Sequence, residues 1–148
     1  MGKHEKGCGK RREKTRNLRF VPYEEKDKTR DENRECGKSY LVIPDSVIGI
    51  GYGAFEGCSS LRSLVIPDSV TNLNGNPFCK WDGELKCLSP YFIYDNKVLF
   101  DKDKSTIISF RDKDTTSYVI PDRVSGIGSG AFYDCKFLES LIIPDSVT

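Results

Sequence analysis

Apolar residues recur along this chain at fixed distances from a recurring proline, not at the spacing of a single helix or strand. The run IPDSV stands at 43–47, 66–70 and 143–147, with the variant IPDRV at 120–124. Pro44 and Pro67 are 23 residues apart, as are Pro121 and Pro144. A further 23 from Pro67 falls on Pro90, and Pro90 to Pro121 is 31. Three residues after their prolines stand Val47, Val70, Val124 and Val147; six after, Ile50, Leu73 and Ile127. Eleven after come Phe55, Phe78 and Phe132; fourteen after, Cys58, Trp81 and Cys135; twenty after, Leu64, Cys87 and Leu141. Columns of this kind predict a repeat solenoid, in which each coil adds one side chain to each interior column. One coil cannot cover its own apolar side chains, so neighbours must close both of its faces.

Within one unit, Leu61, Leu64 and Ile66 of LRSLVIP mark a short strand, ended by Pro67, which cannot donate to a ladder. DSV turns the chain, GIGYG bends it, AFEGC forms one helical turn and SSL leads to the next strand. The enlarged interval at 91–117 departs from this unit. YFIYDNKVLF reads as strand, turn at Asp95-Asn96, strand, and FDKDKSTIISF repeats that reading around a charged turn. A β-hairpin unit is therefore expected in place of the helical side of one repeat.

GIGYG at 49–53 invites comparison with a phosphate-binding loop, which requires a strand before it, a long helix after it and an acidic residue about twenty positions on. It recurs as GIGSG at 126–130 at the same repeat position, as a structural bend must and a nucleotide site need not.

The period with its residues, L..LxIPDSV…IG..AF..C..L, resembles the BspA-type leucine-rich repeat, and NKVLFDKDKSTIISF resembles a hairpin unit interleaved in that family. The resemblance covers residues 40–148 and implies a right-handed leucine-rich-repeat superhelix of short stacked β-strands with short helical turns. It also implies a cell-surface or secreted setting and adhesion to protein partners on host cells, neighbouring cells or matrix. The repeat at 67–90 departs from the family pattern, with Pro77 at the alanine position and Trp81 at the cysteine position. The closing IPDSVT opens a new unit, and we expect a chain truncated at its C-terminus.

Composition adds a division. Residues 1–38 carry 13 Lys/Arg against 8 Asp/Glu, a net +5, and the remainder carries 10 against 14, a net −4. A charged, aromatic-poor stretch cannot offset its ordering entropy by burial, so 1–38 is expected to be a disordered tail preceding a solenoid at 39–148. The first twenty residues lack the apolar core of a signal peptide. No apolar run approaches the roughly 20 residues of a membrane helix. An intracellular scaffold is accordingly the alternative to a surface adhesin. Acids interspersed in the tail dilute its positive field, so a nucleic-acid partner is not expected.

Candidate chemistry is sparse. The single histidine, His4, sits in the tail, and the six cysteines at 8, 36, 58, 79, 87 and 135 form no CxxC pair. We expect no catalytic residues, no metal, no cofactor and no small-molecule substrate. Cys58 and Cys135 share a column and read as small core residues. Cys79 and Cys87 are close enough in sequence to bridge, and the pairing of Cys8 and Cys36 stays open. DKDK at 101–104 reads as a solvated hairpin tip. With Leu64 and Ile66 inward, period two turns Ser63 and Val65 outward, and the same offset gives Tyr40 and Val42, Ser117 and Val119, and Ser140 and Ile142. These eight are the candidate partner-binding residues of one exposed stripe.

Overall fold

The computed structural model describes residues 40–148; the charged tail, with Cys8 and Cys36, lies outside the described residues. Its strands in chain order are Tyr40–Val42 (β1), Gly49–Ile50 (β2), Ser63–Ile66 (β3), Asn72–Leu73 (β4), Glu84–Cys87 (β5), Phe92–Asp95 (β6), Val98–Asp101 (β7), Thr106–Phe110 (β8), Ser117–Val119 (β9), Gly126–Ile127 (β10) and Ser140–Ile142 (β11). β1, β3 and β5 stack as a parallel ladder, β2 pairs parallel with β4, and β9 with β11. Parallel pairing of strands one coil apart is what a solenoid requires, because every coil runs the same way round. Leu41, Leu64 and Leu85 stand side by side in the first ladder, and Tyr118 and Leu141 in the second.

The helical turn expected at AFEGC is not formed. Successive N–H groups bond three residues back instead, Glu56 to Gly53 (2.8 Å) and Cys58 to Phe55 (3.2 Å). Left-handed residues interrupt any helix at the same place in each coil: Gly57 (φ 67°), Lys80 (φ 53°) and Asp134 (φ 64°) all stand thirteen residues after their prolines. L-residues rarely enter that region, so the arm is a chain of turns that reverses at this position.

The second coil is shorter than the proline count predicts. Leu64 pairs with Leu85 and Ile66 with Cys87, a step of 21 residues, so Cys87 and Pro90 do not occupy the columns assigned by counting 23. The arm still keeps the 23-residue step at Phe55, whose N–H reaches the Pro77 carbonyl (2.9 Å). The two residues are lost between Cys79 and Glu84, where the buried Trp81 indole donates to the Leu61 carbonyl (2.7 Å). Gly83 permits the short cut: a Cβ there would come within 2.3 Å of the indole and 2.8 Å of the Arg62 carbonyl.

The interval 91–117 forms antiparallel β6–β7–β8, continued by the parallel β10. Asp95 pairs with Val98, so the tight turn is Asn96-Lys97, one residue later than expected; both residues have positive φ (47° and 61°), as a two-residue hairpin turn of matching twist requires. This sheet divides the interior. Leu99 and Ile108 join the core of the first two coils with Phe78, Trp81 and Leu85, whereas Val98, Phe100, Ile107 and Phe110 join a second core with Ile120, Val124 and Ala131. Strict alternation cannot put both Ile107 and Phe110 on one face. A register shift opposite Leu99 and Phe100 leaves Ile108 without a partner in the ladder and restores the phase.

On the turn side the second coil meets the fourth directly, through Asn76. Its N–H donates to the Ser129 carbonyl (3.0 Å) and its carbonyl accepts from the Gly53 N–H (3.0 Å). Its Nδ2 donates to the Gly130 carbonyl (2.8 Å) and its Oδ1 accepts from the Phe78 N–H (2.9 Å). The residue is 2% exposed, so water cannot replace these partners. GIGYG and GIGSG are the bends that receive it, with Gly53 and Gly130 left-handed (φ 64° and 67°). Asn76→Ala strands the Gly130 carbonyl and the Phe78 N–H, and should lower stability by about 2–4 kcal/mol. The urea midpoint falls while the slope stays unchanged; an unmoved midpoint would refute this account of the join. Asp134→Gly relieves a left-handed aspartate at the cost of an ion pair between its largely covered carboxylate and the exposed Lys136, and should raise stability by about 1 kcal/mol in the same assay; a lower midpoint would show that the turn is not strained there.

Candidate binding surface

Alternation along the ladders turns one residue of each pair outward. Val42 is 52% exposed, Val65 36%, Val119 61% and Ile142 57%. Ser117 and Ser140 are exposed and Ser63 is half-buried, while Tyr40 holds the register position beside Ser63. The eight residues do not form one stripe. Those on β1 and β3 belong to the first ladder and those on β9 and β11 to a separate two-stranded sheet, with the hairpin unit intervening in the chain.

β5 adds two residues that counting missed. Glu84 pairs with Ser63 and Lys86 with Val65, and both are exposed. Counting 23 from Val65 lands on Leu88, because the coil is two residues short. The local alternation of ELKC, with only Leu85 fully buried, was the signal that could have found them. The first patch thus ends in a carboxylate and an ammonium, whereas the second holds hydroxyls and β-branched chains.

Beside β5 opens a groove of about 690 Å³ lined in part by Asp82, Glu84, Tyr94, Lys97, Arg111 and Lys113. Arg111 is the lining residue most tightly held. Its guanidinium donates to the carbonyls of Trp81 (3.2 Å) and Gly83 (2.7 Å) and lies 4.6 Å from the Trp81 ring and 5.2 Å from that of Phe78. Burial pulls its pKa down, opposed by the nearby Tyr94 and Asp82. Lys97 is paired with Asp112 (3.0 Å), and Lys113 donates to the Tyr133 carbonyl (2.9 Å). Arg111 and Lys113 thus tie the hairpin unit to the second and fourth coils, while Lys97 closes an ion pair within the unit itself.

The remaining polar groups are likewise structural. At the hairpin tip, burial raises the Asp101 carboxyl, but hydrogen bonds from the Ser105 hydroxyl (2.6 Å) and the N–H groups of Ser105 and Thr106 outweigh it and hold the group below its ordinary range. Lys104, read as part of a solvated tip, is instead half-buried and paired with Asp95 (2.8 Å). Cys79 is buried with its thiol on the Asn76 carbonyl, while the Cys87 thiol faces the carbonyls of Ser89 and Phe92, so the two do not bridge. Burial pushes the Cys87 and Cys135 thiols up. Cys58 and Cys135 are half-buried against the two cores. Among the described residues no three His, Cys, Asp or Glu side chains are grouped to hold a metal, and no helix is long and apolar enough to cross a membrane.

Two solved structures resemble the fold. A leucine-rich repeat protein from Eubacterium ventriosum ATCC 27560 is 27% identical with a TM-score of 0.61, over 72% of this chain and 30% of that one. A leucine rich cell surface protein from Faecalibacterium prausnitzii A2-165 is 24% identical with a TM-score of 0.54, over 71% of this chain and 35% of that one. The chain therefore spans about a third of the length of either protein. No curated protein matches it. The pattern of the BspA type leucine rich repeat region matches in six copies, over residues 33–89 and 107–148. With most of its length so matched, on a solenoid of stacked parallel strands, the chain belongs to the BspA-type leucine-rich repeat family.

Proposed function

We propose that this chain is a non-enzymatic protein-interaction module that binds a protein partner through its outward strand face, as a repeat segment of a cell-surface adhesin. The observation that carries the reading is the exposure of Val42, Val65, Val119 and Ile142, β-branched side chains that gain nothing from water and stand in register along the ladders. Strands that merely needed propensity could carry threonine there. Repeat proteins use such extended faces for recognition because neighbouring coils present side chains at a constant spacing. Tyr40, Ser63, Ser117 and Ser140 supply the polar positions between them. The family resemblance is what supports the surface setting.

An intracellular scaffold is the second reading, favoured by the four unpaired cysteines among the described residues, since oxidising compartments convert neighbouring thiols to disulfides. Fractionation of the native protein separates the two: recovery only from cytosol overturns the adhesin.

The face itself is tested with Val42→Glu, Val65→Glu, Val119→Glu and Ile142→Glu, measured against immobilised matrix proteins by surface plasmon resonance. Changes in the patch that touches a partner should weaken binding about tenfold or more. Exposed positions leave the melting temperature within a few degrees. Full affinity retained by all four variants would sink the proposal.

A further inference from the structure

Just before the join at Asn76 stands a second asparagine, Asn74, followed by Gly75. Asn74 is exposed and opens the bend after β4, its backbone N–H donating to the Ile50 carbonyl (3.1 Å). Among the described residues, neither its side-chain amide nor the Gly75 N–H holds a hydrogen bond. The glycine is imposed by the fold. Its φ is 77°, and a Cβ there would come within 3.1 Å of the Tyr52 ring and 3.2 Å of the Ser129 carbonyl. A residue without a Cβ is also the one whose nitrogen most freely approaches a neighbouring carbonyl. The other described asparagines differ. Asn72 lies in β4 before Leu73, and Asn96 stands before Lys97, so each is followed by a side chain that obstructs this approach. Asn76 is buried and precedes Pro77, which has no N–H. The pair open to attack thus sits beside an asparagine that the fold depends on and that is closed to the same reaction.

We propose that Asn74-Gly75 is a modification site, at which the chain converts in water to an isoaspartyl form, and that this conversion loosens the second coil from the fourth. The Gly75 nitrogen gives its proton to solvent and bonds to Asn74 Cγ, and the Cγ–Nδ2 bond breaks with loss of ammonia; neighbours in the chain need no encounter to react. Water then opens the succinimide ring. Addition at Cγ leaves aspartate in an ordinary backbone. Addition at the main-chain carbonyl carbon of Asn74 leaves the backbone running through Cβ and Cγ, beside a free α-carboxylate. Amide and water have become carboxylate and ammonium, and nothing is oxidised or reduced. The isoaspartyl form lengthens the main chain by a methylene between two anchored groups, the Asn74 N–H on Ile50 and the Asn76 N–H on Ser129 (3.0 Å). Both anchors cannot be kept at the longer spacing, and the bonds of the Asn76 amide to Gly130 and Phe78 are lost with them. The aspartyl form keeps the spacing and puts its charge on an exposed position, so it leaves the join intact. None of this depends on the outward face.

Ageing the full 148-residue chain in warm, mildly alkaline buffer tests it, with digestion by trypsin and mass spectrometry of the fragments. The fragment 63–80 should gain a single mass unit, placed at residue 74 by further fragmentation, with isoaspartate among the products, while Asn72, Asn76 and Asn96 stay unchanged. The isoaspartyl fraction, separated by ion exchange, should unfold at a lower urea midpoint than the fresh chain. Asn74→Gln, whose imide ring would be larger, should stay unmodified and keep its midpoint through the same ageing. Fresh Asn74→Asp should match the fresh parent, since it adds the charge without the methylene. An intact Asn74, under conditions that convert a free peptide of the same sequence, overturns the site. Isoaspartate at an unmoved midpoint, or a fresh Asn74→Asp as unstable as the aged chain, overturns its action on the join.

Discussion

The second coil must meet a coil of its own kind on one side and, on the other, both an inserted sheet and the fourth coil. The backbone and amide of Asn76 make that join. A solenoid propagates because each coil offers its neighbour the same groups; an insertion breaks that sameness. At Asn76 the break is contained within one residue, which reaches the first coil through Gly53 and the fourth through Ser129 and Gly130. Because it is buried, its bonds form in a low-dielectric setting where an unmet partner is costly, so they specify one arrangement of the turn side.

Arg111 does for the strand side what Asn76 does for the turn side. A guanidinium inside a protein is costly unless its donors are satisfied. Here two carbonyls receive the terminal nitrogens and two aromatic rings flank the group, while the buried Nε finds no partner among the described residues; the backbone N–H bonds the Lys97 carbonyl (2.7 Å), so one residue fastens β8 both to the second coil and to the hairpin turn, at the cost of one unmet donor. The hydrophobic contacts of Phe110 with Tyr118 and Phe132, at centroid distances of 4.7 and 5.1 Å, then fix the other face of the same segment.

Much of this was legible in the sequence, because a solenoid writes its tertiary contacts as a period. The Phe55 and Phe78 column, the inward Leu64 and Ile66, and the outward Val42, Val65, Val119 and Ile142 all follow from counting. Where counting failed, a particular side chain had changed the length or the phase. Trp81 with Gly83 shortens the second coil by two, which hid Glu84 and Lys86. The unpaired Ile108 shifts the phase of β8, which no alternation rule shows. The left-handed Lys80 and Asp134 break the expected helical turn, and nothing in their identity announces it; only their alignment with Gly57 does.

The inserted sheet has a consequence for how the molecule comes apart. It gives the described chain two interiors with a shared wall: one gathers the first two coils, the other the last. Each is built from contacts close in the chain or one coil away, so each can order on its own side of the wall. They are coupled through the opposite faces of β7 and β8 and through a few polar contacts, chief among them those of Asn76 and Arg111. The molecule is therefore two cooperative blocks in series rather than an even stack of equal coils, and the boundary where cooperativity is weakest runs along the hairpin unit.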